Sequence, residues 1–184
     1  CMHITDDGHI DPPFDPILDL AAASHPLHDH PALIYDCGAY YLRSSWEREV
    51  GIANDLKRLL AASPRPIADT PLDTRLTDVQ RLAIRRALEG PCTLITGGPG
   101  TGKTFVISHL LEAAKGGRIV ACAPTGKAAS RIAEQAPHVD VGTLHTRIAD
   151  GSLRRADLIV VDEASMIDAA VWHRLLSVVP EGTP

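Results

Sequence analysis

The sequence predicts an α/β protein built on a parallel sheet with helices on both faces, preceded by a small N-terminal α+β module. Three observations support this prediction. From Leu76 onward, helix-forming runs alternate with short apolar runs, as in strands joined by helical crossovers. The run Leu158–Val161 is apolar throughout, which is typical of a strand covered on both faces. A glycine-rich segment at 97–104 follows one apolar run and precedes a helix-forming run.

The composition indicates a globular protein with one ordinary domain and a small module. The 184 residues are 45% hydrophobic and 22% charged, and the formal net charge is -5. That charge argues against a broad basic surface, so we expect any nucleic-acid contact to be local. No apolar run has transmembrane length and no signal peptide is recognisable, so we expect a cytoplasmic protein without membrane contact. The cysteines show no paired spacing; we expect them to be reduced, with Cys92 and Cys122 in buried strands.

An N-terminal module is predicted for residues 1–66. Residues 1–31 are rich in Pro, Asp and His, and we expect them to be largely irregular. Two strand-like runs, 32–35 and 39–43, flank Asp36-Cys37-Gly38, which is typical of a hairpin turn.

A helix is predicted after this hairpin. Ser44 and Glu47 match a capping box that would begin it. Its predicted buried stripe consists of Trp46, Val50, Ala53, Leu56 and Leu60. Because Trp46 lies on this stripe, we expect it to anchor a core and not to stack on a base. The proline-rich stretch at 63–66 then predicts a linker at 67–75.

The second domain is predicted to cover residues 76–184. Helices are expected at 77–88, 103–115, 126–135 and, after a cap at Asp168, to about residue 178. Strands are expected at 92–96, 118–123 and 158–161. Right-handed crossovers between such strands give a parallel, doubly wound sheet, which binds ligands at the carboxyl ends of its strands.

Residues 97–104 fit the pattern Gly, four residues, Gly-Lys-Ser/Thr, which cradles a polyphosphate. Glycines allow inward-pointing N–H groups, and the helix start that follows favours negative charge. We expect Lys103 to reach the β- and γ-phosphates of ATP and act in catalysis, and Thr104 to ligate Mg²⁺. The expected nucleotide-binding residues here are Gly97, Gly98, Pro99, Gly100, Thr101, Gly102, Lys103 and Thr104. The alternative is a glycine-rich turn without a ligand.

An acidic pair, Asp162-Glu163, directly follows the apolar run that ends at Val161. Asp162 is placed to hold Mg²⁺ together with Thr104. Glu163 is the expected catalytic group that orients and deprotonates the attacking water. The alternative is a purely structural capping role for the pair.

Gln80 lies upstream of the phosphate loop, in Leu76-Thr77-Asp78-Val79-Gln80. Its amide can both donate to and accept from adenine, so Gln80 is an expected nucleotide-binding residue. A capping box between Thr77 and Gln80 is an equally good interpretation, and the two roles can coexist in part.

Two further turns carry candidate nucleic-acid contacts. Thr125 and Lys127 follow the second predicted strand, and a helix start there could bind the phosphate of a nucleic-acid strand. Thr143 and His145 form another polar turn. By chemistry alone, both turns are ordinary loops.

Taken together, these motifs resemble the RecD family, which comprises the alpha subunit of exodeoxyribonuclease V and its standalone relatives. The matching segments, in the order of that family, are Gly97–Thr104, Ala123–Ala129, Thr143–His145 and Val161–Asp168. Residues 32–35 and 41–47 also resemble the segment that precedes the motor in the exonuclease subunit. The resemblance covers roughly residues 30–178.

The resemblance implies a RecA-like fold and an ATP-dependent superfamily 1 helicase that moves 5′ to 3′ on single-stranded DNA. It implies a role in double-strand break repair and recombination, with the beta and gamma subunits of exodeoxyribonuclease V as partners. It places Thr125, Lys127, Thr143 and His145 along the DNA path. It also implies that Asp162-Glu163 and Ser165 sense the γ-phosphate.

Three departures from the family pattern limit this expectation. Phe105 stands where a small polar residue is typical, and the segment between Gln135 and Gly142 is short. The later helicase motifs, and the second motor domain with its charge-stabilising arginine, are absent from the sequence. We therefore expect this chain to be a fragment that is inactive alone.

Three alternatives remain open at this point. One is a standalone helicase of the same family without nuclease partners. The second is a truncated nucleotide-binding module that docks on partner subunits. The third is a phosphate-loop kinase or transporter ATPase, which would hydrolyse ATP without regard to DNA.

Overall fold

The computed structural model describes residues 3–4, 10–11, 30–63, 72–98 and 100–184. The chain forms two compact units, Cys1–Val50 and Gly51–Pro184. The proline-rich stretch and most of the predicted linker lie outside the described residues, as does most of 1–31. The predicted division into 1–66, 67–75 and 76–184 therefore stays a prediction.

The first unit contains two antiparallel strand pairs. Strands β1 (His3–Ile4) and β2 (Ile10–Asp11) form the first. Strands β3 (Leu33–Asp36) and β4 (Ala39–Leu42) form the second, with Asp36 opposite Ala39. The two-residue turn between them has positive φ at both positions, 48° at Cys37 and 82° at Gly38, as a type I′ turn requires. The predicted hairpin is confirmed.

Helix α1 (Arg43–Ala61) begins directly after β4. The predicted capping box is wrong, because Ser44 and Glu47 lie inside the first turns of the helix and not at its cap. Trp46 is half-buried instead of forming the centre of a core, and its Nε1 donates to Asp36 Oδ2 at 3.0 Å. This bond ties the start of α1 to the hairpin that precedes it.

The buried side of α1 also differs from the predicted stripe. Leu59 is 3% exposed, and Ile52 and Leu56 pack beside it, whereas Ala53 and Leu60 face solvent. Two apolar rows at helical spacing coexist in this sequence, and contact with the rest of the second unit selects the row that contains Ile52, Leu56 and Leu59.

The second unit alternates helices with parallel strands. In chain order its regular elements are α2 (Asp78–Glu89), α3 (Lys103–Ala113), β5 (Ile119–Ala123), α4 (Gly126–Gln135), β6 (Asp140–Thr143), α5 (Leu144–Asp150), β7 (Leu158–Val161) and α6 (Ala169–Val178). Short 3-10 turns cover Ser152–Arg155 and Ala164–Met166. The strand order is β6-β5-β7, with both pairings parallel. The predicted parallel α/β class is confirmed.

Strand β5 separates two apolar clusters because its five residues are all buried and point alternately to opposite faces. Ile119, Ala121 and Ala123 join a first cluster with α2, α3 and α4. Val120 and Cys122 join a second cluster with α5, α6 and the last turns of α1. Helices therefore cover both faces of the sheet, as the sequence predicts.

The predicted strand at 92–96 is not formed. Strand β5 is paired on both sides, and on the outer edge of β7 the N–H of Ile159 donates to the carbonyl of Pro184 at 2.9 Å. The segment lacks a backbone partner among the described strands, so Leu94 is 81% exposed, although Ile95 packs on the first cluster. Cys92 is exposed, contrary to prediction, whereas Cys122 is buried as predicted.

Among the described residues, no helix is both long and apolar enough to cross a bilayer.

Candidate functional site

The carboxyl ends of the three parallel strands lie at one level of the sheet. Ala123 of β5 pairs with Thr143 of β6, and Cys122 pairs with Val161 of β7. The N–H of Asp162 donates to the Cys122 carbonyl at 2.9 Å, which carries the ladder one residue past β7. Neighbouring strands are about 4.8 Å apart, so the backbones at Thr143 and Asp162 are separated by about 10 Å. The loops that begin here share one edge of the sheet.

The phosphate loop reaches α3 through two glycines in the left-handed region. Gly100 has φ 76° and Gly102 has φ 80°, a conformation that costs a residue with a Cβ roughly 1–2 kcal/mol. The Thr101 hydroxyl donates to the Gly98 carbonyl at 2.9 Å and closes the loop on itself. Pro99 lies outside the described residues. Gly97 and Gly98 are exposed.

Helix α3 begins without a side-chain cap. Its N-cap is Gly102, which makes no side-chain hydrogen bond. Side-chain oxygens cap four other helices, namely α2 by Thr77, α4 by Thr125, α5 by Thr143 and α6 by Asp168. The first-turn amides of α3 therefore remain available to an external acceptor, and the helix dipole favours an anion there. This is the local structure that a polyphosphate site needs.

Lys103 lies over the same loop. Its Nζ donates to the carbonyls of Gly97 and Gly98 at 2.5 and 2.8 Å. An anionic phosphate oxygen is a stronger acceptor than these carbonyls, so it can replace them as the partner of the ammonium group. Thr104 follows in the first turn of α3 and is exposed, which leaves its hydroxyl accessible to a hydrated cation.

The structure confirms the capping box of Gln80. Its Oε1 accepts from the Thr77 N–H at 3.0 Å, and the Thr77 hydroxyl accepts from the Gln80 N–H at 3.3 Å. The amide nitrogen, Nε2, extends to the phosphate loop and lies 3.5 Å from the Thr101 carbonyl. A Cβ at Gly102 would lie 3.0 Å from this nitrogen. Gln80 thus caps α2 with one end of its amide and contacts the loop with the other.

The acidic pair lies at a sharp change of backbone direction. Glu163 has φ 52° and ψ 38°, a left-handed conformation that is strained for a residue with a side chain. Its N–H donates to Asp162 Oδ1 at 2.9 Å, and its carbonyl accepts from the Met166 N–H at 3.0 Å. The Glu163 side chain is exposed. Within the described residues, no hydrogen bond or ion pair joins either carboxylate to the phosphate loop.

The threonines predicted to contact nucleic acid both act as helix caps. The Thr125 hydroxyl accepts from the Ala128 N–H, and the Thr143 hydroxyl accepts from the Thr146 N–H, each at 3.3 Å. The Thr125 hydroxyl can still donate its own hydrogen, so capping does not preclude a phosphate contact. The Thr143 hydroxyl also lies 2.9 Å from the Thr146 hydroxyl, and it keeps its hydrogen for a phosphate where Thr146 is the donor of that bond. The other two candidates, Lys127 and His145, are exposed beside these caps.

A cluster of aromatic rings and ion pairs lies beside α3 and was not predicted from the sequence. The Arg75 guanidinium binds Asp73, with Nη2 2.6 Å from Oδ2, and lies 5.9 Å from the Phe105 ring centroid. The rings of Phe105 and His109 are 4.1 Å apart, and His109 Nε2 is 3.3 Å from Asp73 Oδ2. The bonds from Arg75 hold the pKa of Asp73 well below its usual range. The sequence feature that could have indicated this cluster is Phe105, an aromatic residue where a small polar residue is typical.

This cluster borders a cavity of about 470 Å³. The cavity is lined by Leu72, Asp73, Arg75, Ser108, His109, Glu112 and Ala113. It therefore extends along α3, away from the phosphate loop.

Comparison with known proteins identifies the family. Residues 80–184 match the family described as the AAA domain. The chain is similar to the "RecBCD enzyme subunit RecD" of Mycobacterium tuberculosis, at 37% identity over 95% of this chain and 37% of that protein. It is similar to the subunit of the same name from Haemophilus influenzae, at 28% identity over 86% of this chain and 32% of that protein.

A further relative is the "ATP-dependent RecD2 DNA helicase" of Deinococcus radiodurans, which is 31% identical over 89% of this chain and 25% of that protein. The chain spans between 25% and 37% of the length of these curated relatives.

Proposed function

Because the chain belongs to the AAA domain family and, with its relatives, to the RecD family, we propose that it is the ATP-binding part of a DNA helicase. The complete protein would couple ATP hydrolysis to 5′ to 3′ movement along single-stranded DNA in double-strand break repair. The observation that supports this proposal most is the shared sheet edge. There the acidic pair after β7 lies at the level of the caps after β5 and β6.

In this proposal, the phosphate loop and the uncapped start of α3 bind the triphosphate. Lys103 exchanges its two carbonyl partners for phosphate oxygens. Thr104 and Asp162 would hold Mg²⁺, which neutralises charge on the phosphates when it is bound. Glu163 orients a water molecule and accepts its proton. Gln80 presents its amide nitrogen to the adenine, while its amide oxygen stays bonded to Thr77.

We propose that DNA contacts come from the neighbouring loops. Thr125 and Thr143 donate from their capping hydroxyls to phosphate oxygens, and Lys127 and His145 add exposed side chains beside them. Since β7 adjoins β5, a shift at Asp162-Glu163 can reach the Thr125 loop through a single ladder. That proximity is a physical route for coupling hydrolysis to DNA.

The proposal is tested in the complete protein by measuring ATP hydrolysis with and without single-stranded DNA. We expect DNA to stimulate hydrolysis, and Lys103→Ala and Glu163→Gln each to reduce it by a factor of about 10² or more. Lys115→Ala is the matched control, because Lys115 is exposed just beyond the other end of α3, where its Nζ lies 3.0 Å from Glu112 Oε1. Hydrolysis that is indifferent to DNA would contradict the helicase proposal and favour a different phosphate-loop enzyme.

The direction of travel needs a separate assay. We expect unwinding of duplexes with a 5′ single-stranded tail and not of duplexes with a 3′ tail. The reverse preference would contradict the proposed polarity.

The DNA contacts are tested by the salt dependence of binding. Lys127→Ala is expected to lower the slope of log affinity against log salt by about one, because one phosphate contact is lost. Arg131→Ala is the control, since Arg131 is exposed one turn further along α4. Equal slopes for both variants would remove Lys127 from the DNA path.

Two of the relatives named above are called subunits of a RecBCD enzyme, whereas another is called an ATP-dependent RecD2 DNA helicase. We propose that this protein acts with the beta and gamma subunits of an exodeoxyribonuclease V. Co-purification of the complete protein with both subunits tests this. Unwinding by the isolated protein, without either partner bound, would instead favour the standalone alternative.

A further inference from the structure

The corner between β6 and α5 is built around one largely buried arginine. The side chain of Arg147 is 17% exposed. Its Nη2 lies 2.9 Å from Asp140 Oδ1 and donates to the Val141 carbonyl at 2.6 Å, and its Nη1 donates to Asp150 Oδ2 at 2.8 Å. Arg147 therefore joins the first two residues of β6 to the last residue of α5.

Gly142 provides the space for this guanidinium. A Cβ at Gly142 would lie 2.5 Å from Nε and 2.9 Å from Cζ of Arg147, closer than such atoms can approach. The Nε atom is buried without a hydrogen-bond partner. Packing against the β6 backbone thus costs Arg147 one hydrogen bond, which indicates that its position is tightly constrained.

Two of the residues held at this corner, Thr143 and His145, are proposed to contact DNA. Thr143 ends β6 and caps α5, Leu144 is 1% exposed in the second cluster, and His145 is exposed. All three lie between the two carboxylates that Arg147 binds. Helix α5 has only seven residues, too few to be stable by itself, so its orientation depends on such tertiary bonds.

The positive charge of Arg147 is neutralised within the protein. Two carboxylates bind it, so the cluster formed with Asp140 and Asp150 is net negative and offers no free cation to a phosphate. Hydrogen bonds from Ser152, including its N–H to Asp150 Oδ1 at 2.8 Å, and the Arg147 guanidinium hold the pKa of Asp150 below its usual range. This carboxylate therefore stays ionised. Arg147 is therefore suited to orient its neighbours and not to bind DNA itself.

We propose that Arg147 is a positioning residue for nucleic acid, which holds Thr143 and His145 in the orientation that contacts the strand. This inference rests on the proposed function. A lysine cannot replace the arginine, because one ammonium group cannot reach three acceptors that the two arms of a guanidinium contact together.

The test uses the complete protein and Arg147→Lys, which keeps the charge and removes the planar fork. The concentration of single-stranded DNA that gives half-maximal stimulation of ATP hydrolysis is expected to rise about tenfold. The KM for ATP and the hydrolysis rate without DNA are expected to stay within about twofold. Arg154→Lys is the matched control, because Arg154 is exposed in the 3-10 turn after α5.

Gly142→Ala is the second variant, since it displaces the guanidinium and leaves Arg147 in place. It is expected to reproduce the DNA-specific defect. A lowered melting temperature with unchanged DNA dependence in both variants would overturn the proposal and leave Arg147 a purely structural role. If hydrolysis by the unmodified protein does not respond to DNA, the proposed function fails first. If hydrolysis by the unmodified protein responds to DNA and both variants show the same DNA dependence, only the positioning role of Arg147 is excluded.

Discussion

The backbone N–H of Glu163 donates to the carboxylate of Asp162, and Glu163 adopts the left-handed region that residues with a side chain rarely occupy. In a strand, successive side chains point to opposite faces of the sheet. The left-handed turn at Glu163 breaks this pattern after β7, so the two adjacent carboxylates are not placed as strand residues. One carboxylate binds the backbone, while the other is exposed. This geometry separates the proposed metal ligand from the proposed base.

The strain at Glu163 predicts opposite effects on stability and activity. Glu163→Gly is expected to raise the free energy of unfolding by about 0.5–1 kcal/mol, because glycine adopts this conformation without a Cβ clash. Glu163→Gln retains the strain and is expected to leave stability unchanged. Both variants should lose ATP hydrolysis in the complete protein. Urea denaturation of the two variants checks the difference, and equal midpoints would mean that the turn is not strained.

The two roles of Gln80 can be separated by substitution. Gln80→Glu keeps an oxygen to accept from Thr77 but removes the amide donor, so we expect normal stability and a KM for ATP raised about tenfold. Thr77→Ala is the counterpart, because it removes the cap, costs about 1 kcal/mol of stability and leaves the amide nitrogen in place. If Gln80→Glu keeps the normal KM, Gln80 is a cap alone.

The contacts of Arg58 predict an effect on stability that is independent of the ATP and DNA sites. Its guanidinium donates to the carbonyls of Leu176 and Val179 at 2.9 and 3.1 Å, so it caps the C-terminal end of α6. Arg58→Met is expected to lower the free energy of unfolding by about 1–2 kcal/mol, measured by urea denaturation. The exposed neighbour Lys57 is the control, and Lys57→Met should change stability by less than about 0.5 kcal/mol. Similar losses in both variants would exclude a capping role.

Thiol labelling distinguishes the cysteines. Burial raises the pKa of Cys122 to about 12, and its side chain in β5 is inaccessible, so we expect no alkylation of the folded protein at pH 8. Cys92 and Cys37 are exposed and are expected to react. Peptide mapping by mass spectrometry reads each site separately. Protection of Cys92 would mean that the segment at 92–96 is paired and buried after all.

Local signals in the sequence predicted much of the fold. Helix α4 matches its predicted bounds, and the caps at Thr77 and Asp168 form as expected, because a cap depends only on residues within one turn. The apolar run of β7 and the glycine at the hairpin turn were similarly informative, since their backbone geometry is set by a few neighbouring residues.

Features that depend on distant partners were not predictable in this way. The segment at 92–96 has the composition of a strand, but a strand also needs a neighbouring edge, which its own residues do not specify. The buried row of α1 is selected by α6, where the His173 ring occupies the space that a Cβ at Gly51 would fill. The clamp at Arg147 joins residues of β6 and α5 and has no motif of its own.

The uncapped start of α3 has a consequence for the dynamics of the free protein. A first helical turn whose amides have no acceptor frays easily. Hydrogen exchange of the first-turn amides of α3 should therefore be faster than at the capped starts of α2, α4 and α6. A bound anion would slow this exchange by completing the turn. Ligand affinity at this site then includes the free energy of ordering the first turn of the helix, and nucleotide binding is in part a local folding reaction.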